Sequence, residues 1–187
     1  VEDASVIQEA ARIARPVLSL PAIRRTRRNH GLEHATITIL AERIRPLSMA
    51  GRSDSGGFIL LGEVNTEHVE SAVAEALRRF RRGERGLAVH PNCGTNLVTT
   101  SLFASVAAML GLAGVQRGGL AGRLPSVMAL VALALLISQP LGLALQRHFT
   151  TDGDMGDLQV VSIRRSSLHL PFRQSAMTVH RVTTRSG

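Results

Sequence analysis

The chain has 187 residues, with 22 basic residues that are all arginine, 14 acids and a formal net charge of +8. Trp and Tyr are absent and the Phe residues are scattered, so the basic excess lacks the stacking platform of a nucleic-acid binder, and no nucleic-acid partner is expected. The excess fits anionic lipid or the cytoplasmic flanks of membrane helices, while the single cysteine, Cys93, excludes an intrachain disulfide and leaves a thiol that is free or metal-bound.

Residues 1–20 mix acids and arginines with apolar residues and hold no continuous hydrophobic core, so no secretory signal is read there. Residues 4–14 have apolar side chains at roughly helical spacing, which predicts a short amphipathic helix ending near Pro16 and lying on the membrane or on the domain. Arg24, Arg25, Arg27 and Arg28 follow, and each is expected to add on the order of 1 kcal/mol of attraction to anionic lipid head groups.

Residues 29–45 are predicted helical, with Asn29 as cap and Pro46 as stop. Thr36, Ile37, Thr38 and Ile39 alternate like a strand, but the run is too long for one, and a helix places His30, Glu33, His34 and Ile37 on one face. Residues 48–57 are rich in Gly and Ser and read as a loop; residues 58–61, between Gly57 and Gly62, read as a short buried strand. A helix capped by Asn65 or Thr66 then runs to about Arg82. Its apolar stripe is Val69, Ala72, Val73, Ala76, Leu77 and Phe80, with acids at the start, arginines at the end and Gly83 as terminator.

Two hydrophobic segments follow, residues 97–115 and 124–145, each long enough to cross a bilayer; Pro140 is tolerable inside the second. The competing reading, a buried hairpin in a soluble bundle, is disfavoured because few soluble helices are uncharged over such lengths. The link at 116–123 holds two arginines, against Arg78, Arg79, Arg81, Arg82 and Arg85 before the pair and Arg147 after it. That imbalance predicts an integral protein of the cytoplasmic membrane with both termini cytoplasmic. Residues 150–154 form a polar turn, residues 158–163 a strand returning to the cytoplasmic domain, and residues 164–187 receive no role.

The expected organisation is therefore an amphipathic basic segment (1–28), a small cytoplasmic α+β metal-binding domain (29–95), a two-helix transmembrane hairpin (96–147) and a cytoplasmic strand and tail (148–187). Within it stand two motifs with metal chemistry. His30-Gly31-Leu32-Glu33-His34 puts two imidazoles at i and i+4, able to reach one ion, with a carboxylate close enough to activate water. His90-Pro91-Asn92-Cys93-Gly94 has the form of a zinc knuckle in which His replaces the first Cys. The blander readings are a surface His90 and an inert buried Cys93. Candidate ligands are His30, His34, His90 and Cys93, the candidate ion is Zn2+ or another divalent transition metal, and Glu33 is the candidate catalytic residue.

The order H-G-x-E-H, then H-P-x-C-G-T at the entrance of a hydrophobic hairpin, then Thr150-Thr151-Asp152, resembles the YqhQ-type membrane proteins of unknown function and their shorter relatives. The likeness covers about residues 29–163 and implies a metal-binding membrane protein, without an established reaction. This chain has Ala35 and Asn92 where the longer members carry Lys and Arg.

Two functions compete. With His30, His34 and one further ligand, a zinc ion keeps an open position, water there has its pKa lowered to about 7, and Glu33 acts as general base; this is a membrane-surface metallohydrolase, peptidase-like, with an extended peptide docked on the strand at 58–61. With all four ligands bound the site is closed and structural (His3Cys), and the protein is a non-catalytic membrane subunit or assembly factor. Small residues such as Ala104, Ala107, Ala108 and Gly111 would then let a partner helix approach. A third chemistry, Cys93 as nucleophile with His90 as base, leaves two histidines without purpose. Expected partners are the lipid bilayer and either a peptide substrate or a membrane protein; the oligomeric state is open.

Overall fold

The computed structural model describes residues 2–114, 119–169 and 176–186. The helical and strand elements in chain order are α1 (Glu2–Ile13), α2 (Arg15–Leu18), α3 (Pro21–Arg43), β1 (Ala50–Asp54), β2 (Gly57–Leu61), α4 (Thr66–Arg81), α5 (Gly94–Leu112), α6 (Leu120–Leu145), β3 (Gln159–Leu168) and β4 (Met177–Arg185). Part of the expected inter-helix link, residues 115–118, and part of the unassigned tail, residues 170–175 and 187, lie outside the described residues.

The four strands form one antiparallel sheet in the order β1-β2-β4-β3. Burial alternates along β4, where Thr178, His180, Val182 and Thr184 point inward, as the two-residue period of a half-buried strand requires. On that inner face lie α3 and α4. Their apolar stripes, with Leu32, Ile39 and Leu40 on α3 and Val69, Val73 and Phe80 on α4, close a core with Phe58, Leu60, Leu158 and Val182. Gly83, with φ of 93°, ends the α4 segment in the left-handed region, as the sequence predicts.

Several expectations change. The helix expected from Asn29 starts eight residues earlier, at Pro21, whose fixed φ suits a first turn. Asn29 is no cap: fully buried inside α3, its Nδ2 donates to the Asp54 carbonyl (2.8 Å) and its Oδ1 accepts from Thr184 Oγ1 (2.7 Å), tying α3 to β1 and β4. The loop expected at 48–57 contains β1. Strand 58–61 lies in β2, with Phe58 and Leu60 buried, but it pairs on both sides, so it has no edge to offer a peptide; the edge strands are β1 and β3.

Nor do the arginines ahead of the HxxEH motif all face outward. Arg28 is buried and pairs with Asp157 at 3.0 Å, and Arg27 Nη2 donates to the carbonyls of His148 (3.2 Å) and Thr151 (3.0 Å). They fasten α3 to the segment that leaves α6.

Helices α5 and α6 pack along each other through small or polar residues: Ala107, Gly111, Ala134, Ser138 and Gly142 are buried, and Ser138 Oγ donates to Thr100 Oγ1 at 3.1 Å. A Cβ on Gly111 would meet Val127 at 2.8 Å, so this crossing needs glycine. Both helices are long and apolar enough to cross a membrane. One π-helical turn, Gln146–Thr150, continues α6 to the polar exit.

Candidate metal centre

α3 carries His30, Glu33 and His34 on one face, and the segment from Ala88 to Gly94 runs across that face. Cys93 is the N-cap of α5, and its Sγ accepts the Thr95 amide at 3.4 Å, a donor suited to a thiolate. Asn96, one turn into α5, donates from Nδ2 to the Pro91 carbonyl at 2.8 Å, and Gln146 Oε1 accepts the His90 amide at 3.0 Å, so both hairpin helices grip the knuckle.

Three of the four expected ligands converge. His30 Nε2 lies 3.3 Å from Cys93 Sγ, and one donor atom from each of His30, His34 and Cys93 lies within 4.8 Å of the others. Tetrahedral zinc with bonds of about 2.0–2.3 Å holds its ligands about 3.3–3.8 Å apart, so the set fits with little adjustment. The tautomers fit too. His34 Nδ1 donates to the Ala88 carbonyl (2.8 Å) and His30 Nδ1 to the Thr150 carbonyl (3.0 Å), which leaves each neutral ring its Nε2 lone pair on the cleft side. This is the outer-partner arrangement that fixes metal-binding histidines.

His90 stands apart. Its ring centroid is 5.9 Å from that of His34, its Nδ1 accepts the Asn92 amide at 3.2 Å, and it does not join the three converging atoms. Glu33 lies in the same cleft outside the donor set. The Ser53 hydroxyl donates to its Oε2, and Gly51 of β1 lies against the carboxylate. The cleft, about 610 Å³, has α3 as its floor, Met49 to Ser53 as one wall and the His90–Cys93 knuckle as the other.

Charge in the site follows from burial and from its own pairs. Burial pushes the Cys93 thiol up, but hydrogen bonds with His30 and His34 and the Thr95 amide outweigh it and bring it down to about 5. Burial pushes His30 down, and its bond and charge partnership with Cys93 more than reverse this, so His30 ends above the ordinary histidine value. Glu33 sits above the usual carboxylate range because burial outweighs its Ser53 bond and the nearby histidines. Burial, helped by His34, holds His90 below its ordinary value.

Ser53, Gly51, Gln146 and the carbonyls of Ala88 and Thr150 belong to this site and were not among the sequence candidates. The Asp54-Ser55-Gly56-Gly57 run is a hairpin-turn signature that could have revealed β1, and with it Gly51 and Ser53. A backbone carbonyl carries no sequence signal.

The family described as "Domain of unknown function (DUF6391)" matches residues 25–163, a span that holds every side chain named at this site. An uncharacterized protein of Picosynechococcus sp. is 35% identical over 142 residues, covering 67% of this chain. The chain in turn spans 65% of that relative's length. No solved structure matches.

Proposed function

The chain belongs to the DUF6391 family of unknown function, and we propose that it is a zinc-dependent, peptidase-like hydrolase working at the cytoplasmic face of a membrane. The carrying observation is the convergence of His30, His34 and Cys93 with both Nδ1 atoms tied to carbonyls and Glu33 alongside. Two imidazoles and a thiolate suit zinc, and three protein ligands leave a position open.

His30, His34 and Cys93 would hold the ion, which when bound would supply carbonyl polarisation and a lowered water pKa. Glu33, with Oε2 held by Ser53, takes a proton on Oε1 as the water oxygen bonds to the amide carbon. It then gives that proton to the amide nitrogen as the C–N bond breaks, so the products are a carboxylic acid and an amine.

The membrane part of the proposal draws on outward apolar side chains of the hairpin: Leu97, Met109 and Leu136 are 69%, 72% and 75% exposed in the free molecule. The arginine excess on the flanks supports cytoplasmic termini. The likeness to the YqhQ-type proteins supports the same reading.

The second reading, a closed His3Cys site in a non-catalytic membrane subunit, draws on His90, whose ring faces the same cleft near His34. Glu33→Gln separates the two. Full zinc content with hydrolysis reduced at least about 10²-fold is expected of the enzyme. Unchanged hydrolysis in that zinc-replete variant would remove Glu33 as base, and protein purified without stoichiometric metal would sink both readings.

A further inference from the structure

One wall of the cleft is lined by β1, an edge strand of the sheet. Among the described residues β1 pairs only with β2, and Ala50, Gly51, Arg52 and Asp54 are exposed. Alternate residues of an edge strand turn their N–H and C=O groups away from the sheet, and only another backbone can pair such a row along its length. The row is short, and β1 holds neither proline nor lysine.

Its direction is fixed relative to the candidate catalytic residue. The Asp54 carbonyl accepts from Asn29, Ser53 donates to Glu33, and Met49 and Ile37 line the same cleft, so β1 runs antiparallel to α3. Gly51 and Ser53, either side of the strand's midpoint, face Glu33. At the Met49 end the cleft is apolar, lined by Ile37, Ala41, Leu47 and Met49; at the other end stand Thr26, Arg52 and Ser53.

We propose that the cleft takes an extended polypeptide, added as a fifth strand on the free edge of β1, with an apolar side chain in the pocket of Ile37, Ala41, Leu47 and Met49. The five residues of β1 span about 17 Å at about 3.4 Å each, which seats about five residues of the incoming chain. The bond beside Glu33 then lies about two residues from the apolar side chain. This names the substrate class of the hydrolase proposed above and rests on that reading for its chemistry, while the docking itself needs only β1 and the cleft.

The test is amide hydrogen exchange on the zinc-loaded full chain in detergent, carrying Glu33→Gln to prevent turnover. The probe is a pool of end-blocked octapeptides with a leucine at a fixed position and randomised neighbours, used beside the same pool N-methylated at alternate amides. The expected result is exchange slowed roughly tenfold in β1 by the first pool and unchanged by the second. No protection by either pool, equal protection by both, protection confined to α5 and α6, or the same protection from detergent or lipid alone would overturn the docking. Protection of β1 without cleavage of the pool by the unsubstituted protein would leave the docking intact and sink the hydrolase. Cleavage with β1 unprotected would do the reverse.

Discussion

The Glu33 carboxylate occupies the space beside Gly51 in which any other residue would carry its Cβ. The strand residue and the helix residue are thus sterically coupled, and Ser53, two positions on, anchors the same carboxylate. Gly51→Ala is expected to push the carboxylate out of place while leaving the three metal donors untouched. A displacement of about 1 Å in a positioned group costs about 10²-fold in rate, so hydrolysis should fall by that factor with zinc content unchanged. Metal analysis beside kcat/KM checks it: an undiminished rate would mean that the position of Glu33 does not matter, and lost zinc would mean that β1 supports the metal as well.

The ligand set makes a sharper prediction. Losing even an outer partner of a metal ligand costs about 10–100-fold in affinity, so His34→Ala and Cys93→Ser should each weaken zinc binding by more than about 10²-fold. His90→Ala should keep full stoichiometry, because the three-donor cluster forms without it. Competition with a chromogenic chelator measures all three. If His90→Ala loses the metal as readily as the other two, the site has four ligands and the structural reading replaces the catalytic one.

Much of this was readable in the sequence wherever a side chain repeats with the period of its element. The i, i+4 spacing of His30 and His34 and the stripe of α4 follow from one periodicity, and the apolar runs mark α5 and α6, which start three and four residues before the expected segments. The loss occurred where exposure hides that period. β1 is an edge strand of Ala, Gly, Arg, Ser and Asp, with no buried apolar residue to mark it. β4 is central, yet its inward positions are Thr178, His180, Val182 and Thr184, three of them polar, so residues 164–187 looked like an unassignable tail. Arg28 and Asn29 resembled a head-group contact and a cap because a sequence does not show that Asp157 and Thr184 come back from more than a hundred residues away.

Cys93 should be anionic in metal-free protein over the whole neutral range. With its value brought down to about 5, the thiolate is present above that pH and is lost only as the pH falls through it. Alkylation by iodoacetamide is therefore expected to proceed at a nearly constant rate from about pH 8 to about pH 6, where an ordinary thiol of pKa about 8.5 would slow more than tenfold. His30→Ala removes a partner at 3.3 Å and should restore a rising profile toward pH 8. Zinc should abolish the reaction. A wild-type profile that already rises toward pH 8 would show that the thiol and the imidazole do not share a proton.

The last prediction concerns how the apolar hairpin holds the knuckle. Gly142 of α6 packs against Asn96 of α5 so closely that its missing Cβ would enter the Asn96 carboxamide. Asn96 holds the Pro91 carbonyl, and Gln146, one turn beyond Gly142, holds the His90 amide. A branched side chain at 142 must therefore separate two helices that each carry one hydrogen bond to the same five-residue turn. Gly142→Val is expected to cost about 1–3 kcal/mol, the usual range for overpacking a close contact, and to weaken zinc binding as Cys93 drifts from His30. Leu136→Val, on the outer face of the same helix where the side chain is 75% exposed, should change neither quantity. Thermal unfolding in detergent and chelator competition read the two effects separately. A lowered melting temperature with unaltered zinc affinity would mean that the helix crossing and the metal centre are independent, and that the three ligands are held by α3, Ala88 and Thr150 alone.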